Sequence, residues 1–96
     1  MQILVIANVA PGADMKRVEA LTKPEARRVW DMYLKGTVRQ VWYRTDIPGA
    51  VLILESPSVT AARRAVGRLP MVKAGLLVVE VIPLEAYDAL GSLFVK

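Results

Sequence analysis

Histidine and cysteine are both absent from the 96 residues. Their absence excludes disulfides, zinc sites built on thiolate or imidazole, His-ligated haem, Ser-His and Cys-His nucleophile pairs, and thiol redox chemistry. Aromatic residues are few: two Trp, three Tyr and one Phe. Gly12, Gly49 and Gly75 fall in turn-like stretches, so no Gly-rich phosphate loop is present. No uninterrupted apolar run reaches the ~18 residues of a membrane span. The segment after Met1-Gln2 runs straight into apolar sequence, without the basic leader and small-residue cleavage site of a signal peptide. A cytoplasmic protein with no membrane partner is expected, and any catalysis falls to carboxylates, Lys, Arg, Tyr, hydroxyls or the backbone.

The hydrophobic content of 54% excludes a disordered or low-complexity chain, and the length is that of a single domain, 1–96. Thirteen Lys and Arg against nine Asp and Glu leave a net charge of +4, scattered along the chain in the manner of solvated helix faces.

Gln2 to Val9 is apolar on both parities and reads as a strand buried on both sides. Asp14 to Lys35 has helical spacing. At Thr22-Lys23-Pro24-Glu25 a Ser/Thr-x-x-Glu pattern with Pro in its first turn predicts a kink or a restart. Gly36 ends the helix, and Thr37 to Arg44, with Val38, Val41, Trp42 and Tyr43, suits a second strand. Asp46-Ile47-Pro48-Gly49 is turn chemistry leading into Ala50 to Glu55, so these strands form a hairpin. Ser58 caps a second helix whose apolar face is Val59, Ala62, Val66 and Leu69, ending at Pro70. A connector through Gly75 leads to a last strand, Leu76 to Leu84, and Glu85 to Lys96 is a tail apolar enough to dock on a neighbour or on its own domain.

That order predicts an α+β, ferredoxin-like βαββαβ domain, with two helices on one face of a four-stranded antiparallel sheet. Three of its strands are apolar on both parities, so the other sheet face is not built to meet water. At ~25 cal/mol per Å² its exposure forfeits many kcal/mol. A second subunit packed sheet to sheet is expected, as an obligate homodimer or a larger ring. The alternative is a monomer whose tail covers the sheet.

Placed at zero on a helical wheel, Glu25 has Val18, Leu21, Val29 and Met32 within about 40° of it. A carboxylate inside an apolar stripe has its charged form disfavoured and its pKa raised, as a general acid or base near neutral pH requires. The structural alternative is that Glu25 closes a capping box with Thr22. Glu80 is the one charge inside the last strand, and Arg39 on the second strand is either its ion-pair partner or an anion-binding donor. Trp42 is either core or the wall of a pocket. RNA-recognition domains share this order of elements, but the central strands read Ile3-Leu4-Val5-Ile6 and Val51-Leu52-Ile53-Leu54, with no stacking aromatics, and nucleic acid is not expected.

Gly36-Thr37-Val38-Arg39-Gln40-Val41-Trp42 resembles the Gly-Thr-x-Arg-x-x-Trp stretch of the muconolactone delta-isomerase family. Pro57-Ser58-Val59, Leu69-Pro70 and Glu80-Val81 fall in that family's order, and Glu25 sits where it has a Glu, so the resemblance spans Leu21 to Leu84. It implies a dimeric α+β barrel with a pocket between sheet and helices, and a double-bond shift in an unsaturated, anionic lactone without metal or cofactor. Under that resemblance Glu25 is the base and Arg39 the anchor, with Gln40, Trp42 and Glu80 contacting substrate. Gln40 is a departure, standing where the family has a His. Two other readings remain open: a cofactor-independent monooxygenase of the same barrel superfamily, and a non-catalytic oligomeric protein that binds a small molecule.

Overall fold

A computed structural model describes residues 1–96. Strand β1 (Gln2–Val9) leads into helix α1 (Met15–Leu34), followed by the hairpin of β2 (Val38–Tyr43) and β3 (Gly49–Glu55). Helix α2 (Val59–Gly67), a one-turn helix α3 (Pro70–Lys73), strand β4 (Leu77–Pro83) and a 3-10 helix (Asp88–Phe94) complete the chain. The sheet order is β2-β3-β1-β4, every pair antiparallel, which is the ferredoxin-like α+β arrangement expected from the sequence. No helix is long and apolar enough to cross a membrane.

The pairing register sorts the side chains into two faces, because residues directly opposite on neighbouring strands point the same way. Ile3 opposite Leu54 and Val5 opposite Leu52 turn toward the helices. They form the core with Met32 of α1, Val38 of β2, and Ala62, Val66 and Leu69 of the α2 region. Leu54 is fully buried at the centre of this cluster. Its replacement by Ala is expected to lower stability by ~2–5 kcal/mol, through lost transfer energy and the cavity left behind, as read by chemical denaturation.

The opposite face carries Leu4 with Ile53 and Ile82 on its two sides, and Ile6 with Val51 and Glu80. Gln40 and Trp42 extend these two rows onto β2, opposite Ile53 and Val51. No helix covers this face. The tail does not cover it either, since Tyr87, Leu90, Leu93, Phe94 and Val95 are all exposed. The chain measures 59 × 29 × 20 Å with a radius of gyration of 15.5 Å. A globular chain of this length has a radius of about 12.5 Å, and the excess reflects the outstretched tail.

Three local features differ from the sequence reading. Helix α1 runs through Pro24 without a restart. Pro24 and Ala20, whose carbonyl loses its helical partner to the missing N–H, are both exposed, so water can satisfy the group. Thr22 does not cap; its hydroxyl donates to Val18 O at 3.1 Å within the same helix. The connector before β4 contains α3, with Pro70 in its first turn. The ends of α1 follow local rules. Asp14 caps the start by accepting from Lys16 N at 2.9 Å. At the other end Gly36 (φ +80°) closes a Schellman motif, with Thr37 N to Met32 O at 2.9 Å and Gly36 N to Tyr33 O at 3.0 Å.

Candidate active site

An apolar pocket of about 670 Å³ opens between α1 and the helix-facing side of β2 and β3. Its α1 wall is Val18, Thr22, Glu25, Ala26, Val29, Trp30 and Tyr33, and Val41, Ala50 and Leu52 form the sheet wall. Leu69 and Met71, flanking the start of α3, close one side. Trp30 and Tyr33, one turn apart, stack at 5.6 Å between ring centroids with their planes 17° apart. Both are about half exposed, which places a flat aromatic surface at the mouth.

Glu25 is the one carboxylate in the lining. The helical stripe that places it there is the predicted one, with Met32 buried and Val18, Leu21 and Val29 half-buried on the same face. Its Oε1 accepts from Met71 N at 3.0 Å. The uncapped first turn of α3 thus supplies the donor, since Leu69 at its N-cap has no side chain able to do so. Burial pushes the Glu25 carboxyl above its ordinary value of 4.5, and the Met71 hydrogen bond pulls it part of the way back. The bond fixes one oxygen and leaves Oε2 without a protein partner. The result is an oriented, half-desolvated carboxylate facing an apolar cavity, able to hold or take up a proton.

This raised value has a thermodynamic signature. Between 4.5 and the folded-state value, the folded chain retains a proton at Glu25 that the unfolded chain has lost. Stability contributed by this group is therefore full below 4.5 and declines as pH rises through that window. Glu25→Gln keeps an acceptor for Met71 N and removes the titration. Its stability relative to wild type is expected to rise from pH 4 to pH 7 in parallel denaturation curves.

At the far end of the pocket, Arg44 is locked. Its Nε and Nη2 donate to Asp46 Oδ1 and Oδ2 at 2.9 and 2.7 Å, and Nη1 donates to Asn8 Oδ1 at 3.2 Å. The Arg44 hydrogen bonds hold the Asp46 carboxyl down at about 2. Gly49 makes room for this cluster, since a Cβ there would lie 2.5 Å from Asn8 Oδ1 and 3.0 Å from Ala7 O. The sequence marks Asp46 and Gly49 as turn residues only, and gives no sign of the Arg44–Asp46–Asn8 cluster.

Of the sequence candidates, the structure brings Glu25 into the pocket, while Trp42 borders it on β2 from a position whose side chain belongs to the opposite sheet face, paired with Val51. Arg39, Gln40 and Glu80 lie outside its lining. Arg39 is the extra residue of a bulge between Val38 and Gln40. Its guanidinium turns back toward Gly36, whose Cβ position is 3.9 Å from Nη2. Glu80 is exposed on β4, the opposite edge strand, so roughly 14 Å of sheet separates it from Arg39 at the usual strand spacing, and the two form no ion pair. No three Asp or Glu side chains converge into a metal-binding group.

No protein-family model matches the chain, and no curated protein matches it by sequence. Solved structures do match it. Muconolactone isomerase superposes with a TM-score of 0.75 at 20% identity over 93% of both chains. A 5-chloro-2-hydroxyhydroquinone dehydrochlorinase from Burkholderia phenoliruptrix, in complex with 2,5-dihydroxybenzoquinone, superposes with a TM-score of 0.68 at 20% identity, over 93% of this chain and 98% of the other. This chain therefore has the fold of muconolactone isomerase, the fold that its Gly36–Trp42 stretch led one to expect.

Proposed function

We propose that the chain is an isomerase acting by proton transfer without a cofactor on an unsaturated lactone or related ring carbonyl compound. Ionised Glu25 removes a proton from the ring carbon beside the carbonyl, leaving a conjugated enolate. The same carboxyl, now protonated, returns the proton further along the conjugated system. The double bond shifts, and no atom or electron is gained or lost. One observation carries the reading: the pocket holds a single carboxylate, held by Met71 N through one oxygen, with the other free and its pKa raised by burial. The fold supports it, since one structural neighbour is named as muconolactone isomerase and the other holds a hydroxylated quinone ring.

The same reading includes a homodimer closed by the uncovered sheet face, with Gln40, Trp42 and Glu80 on the interface side of the sheet. The apolar 3-10 segment, with Leu90, Leu93 and Phe94, docks on the neighbouring chain in this assembly.

The reaction is tested with α-angelica lactone, a neutral β,γ-unsaturated ring ester, by following conversion to its conjugated isomer under air and under nitrogen. Equal enzyme-dependent conversion in both gases is the expected result. Conversion that requires oxygen and forms an oxidised product supports the monooxygenase reading instead. No conversion of this or any other enolisable lactone returns the chain to a binding role.

A further inference from the structure

Resting on the reading of Glu25 as the proton carrier, we infer that the natural substrate of this pocket is an uncharged, largely apolar ring ketone or phenolic ketone of two or more fused rings, rather than a small lactone bearing a carboxylate. Volume is the first argument: a cavity of about 670 Å³ lies well inside the ~300–1,000 Å³ range of sites that enclose drug-sized molecules, and a single five-membered ring leaves most of it empty. Polarity is the second, because 16 of the 21 lining residues are hydrophobic.

The third argument is charge. Glu25 and Arg44 are the only charged side chains in the lining. Three of the five Arg44 N–H donors are committed, two to Asp46 and one to Asn8, and the Asp46 carboxylate balances its charge. Arg39, the cation that would anchor a carboxylate, lies outside the pocket. A ligand carboxylate entering here gives up its water without gaining a counter-ion, and it approaches Glu25, which must be negative to act as a base. A neutral ring system meets neither penalty. Its flat face matches the Trp30–Tyr33 stack, with Tyr43 also in the lining.

Three probes separate charge from size: muconolactone, its methyl ester, and 2-tetralone, a neutral bicyclic ketone with acidic protons between its carbonyl and its aromatic ring. Trp30 lines the pocket on its α1 wall, so binding to the full-length protein is read by quenching of tryptophan fluorescence. Exchange is read by proton NMR in deuterated buffer. The expected order has 2-tetralone tightest, by about tenfold or more over muconolactone, with the ester between them. Deuterium enters 2-tetralone in wild type, and Glu25→Gln abolishes that entry while still binding the ketone.

Tighter binding of muconolactone than of its ester and of 2-tetralone overturns the inference, and Glu25-dependent exchange of muconolactone in that case leaves the proton-transfer reading standing. Tight binding of 2-tetralone without Glu25-dependent exchange overturns the proton-transfer reading and keeps the ligand class. Failure of the folded protein to bind any of the three overturns both.

Discussion

Glu25→Gln is expected to lower the rate of the proposed isomerisation by ~10²–10⁴-fold, the usual contribution of a positioned general acid or base. The substitution preserves volume and an oxygen acceptor for Met71 N, 3.0 Å away in the wild type, so α3 and the pocket wall keep their places. It removes the one group in the lining that can accept a proton from a ring carbon near neutral pH. The loss therefore falls on turnover and spares ligand affinity. Steady-state kinetics checks this through kcat and KM measured separately, with circular dichroism confirming the fold. A variant that keeps more than about a tenth of wild-type kcat places the proton transfer elsewhere. Glu25→Asp draws the carboxylate back by one methylene, toward α1. An intermediate rate is expected, because reacting groups displaced by about 1 Å lose on the order of 100-fold.

Leu4→Lys is the second large effect, and it is read in assembly. Leu4 sits on β1, an inner strand, flanked on the uncovered face by Ile53 and Ile82. In a face-to-face homodimer a two-fold axis brings a Lys from each chain into the same apolar layer. Neither ammonium has an acid directly opposite it: the two acids on that face lie in the neighbouring rows, Glu80 opposite Ile6 and Glu55 opposite Gln2, and Glu55 is already paired with the N-terminal ammonium. Dimer affinity is expected to fall by more than about 100-fold. In the isolated chain the face is open, and a Lys stem can lie along it with its head in water, so the domain itself stays folded. Sedimentation velocity over a concentration series shows the change directly. An unaltered sedimentation coefficient would place the interface elsewhere.

The order of elements, the hairpin and the Glu25 face were legible in the sequence because each rests on local periodicity or turn chemistry. Gly36 and Asp14 announce the ends of α1, and the position of Glu25 among Val18, Leu21, Val29 and Met32 survives in the fold. Pro24 misled because a capping pattern and a missing N–H are local signals, whereas the apolar stripe on both sides of it packs as one surface, and packing decides. The pairing of Arg39 with Glu80 required strand order and register. Parity along a strand gives neither, and a bulge at Arg39 ends its alternation with Val41 and Tyr43. The Trp30–Tyr33 wall lies on α1 beside the Val18, Leu21, Val29 and Met32 stripe, and the Met71 donor lies in the stretch read as connector. The Pro at position 70 was a visible signal for α3, since Pro favours the first turn of a helix as well as the stretch after one.

The most direct test of the account is the titration of the Glu25 side-chain carboxyl carbon by carbon-13 NMR, alongside the pH dependence of kcat/KM. Desolvation in the pocket predicts a midpoint above 4.5 that coincides with the acid limb of the rate profile, the rate rising as Glu25 ionises. A midpoint at or below 4.5, or an acid limb that persists unchanged in Glu25→Gln, would contradict it.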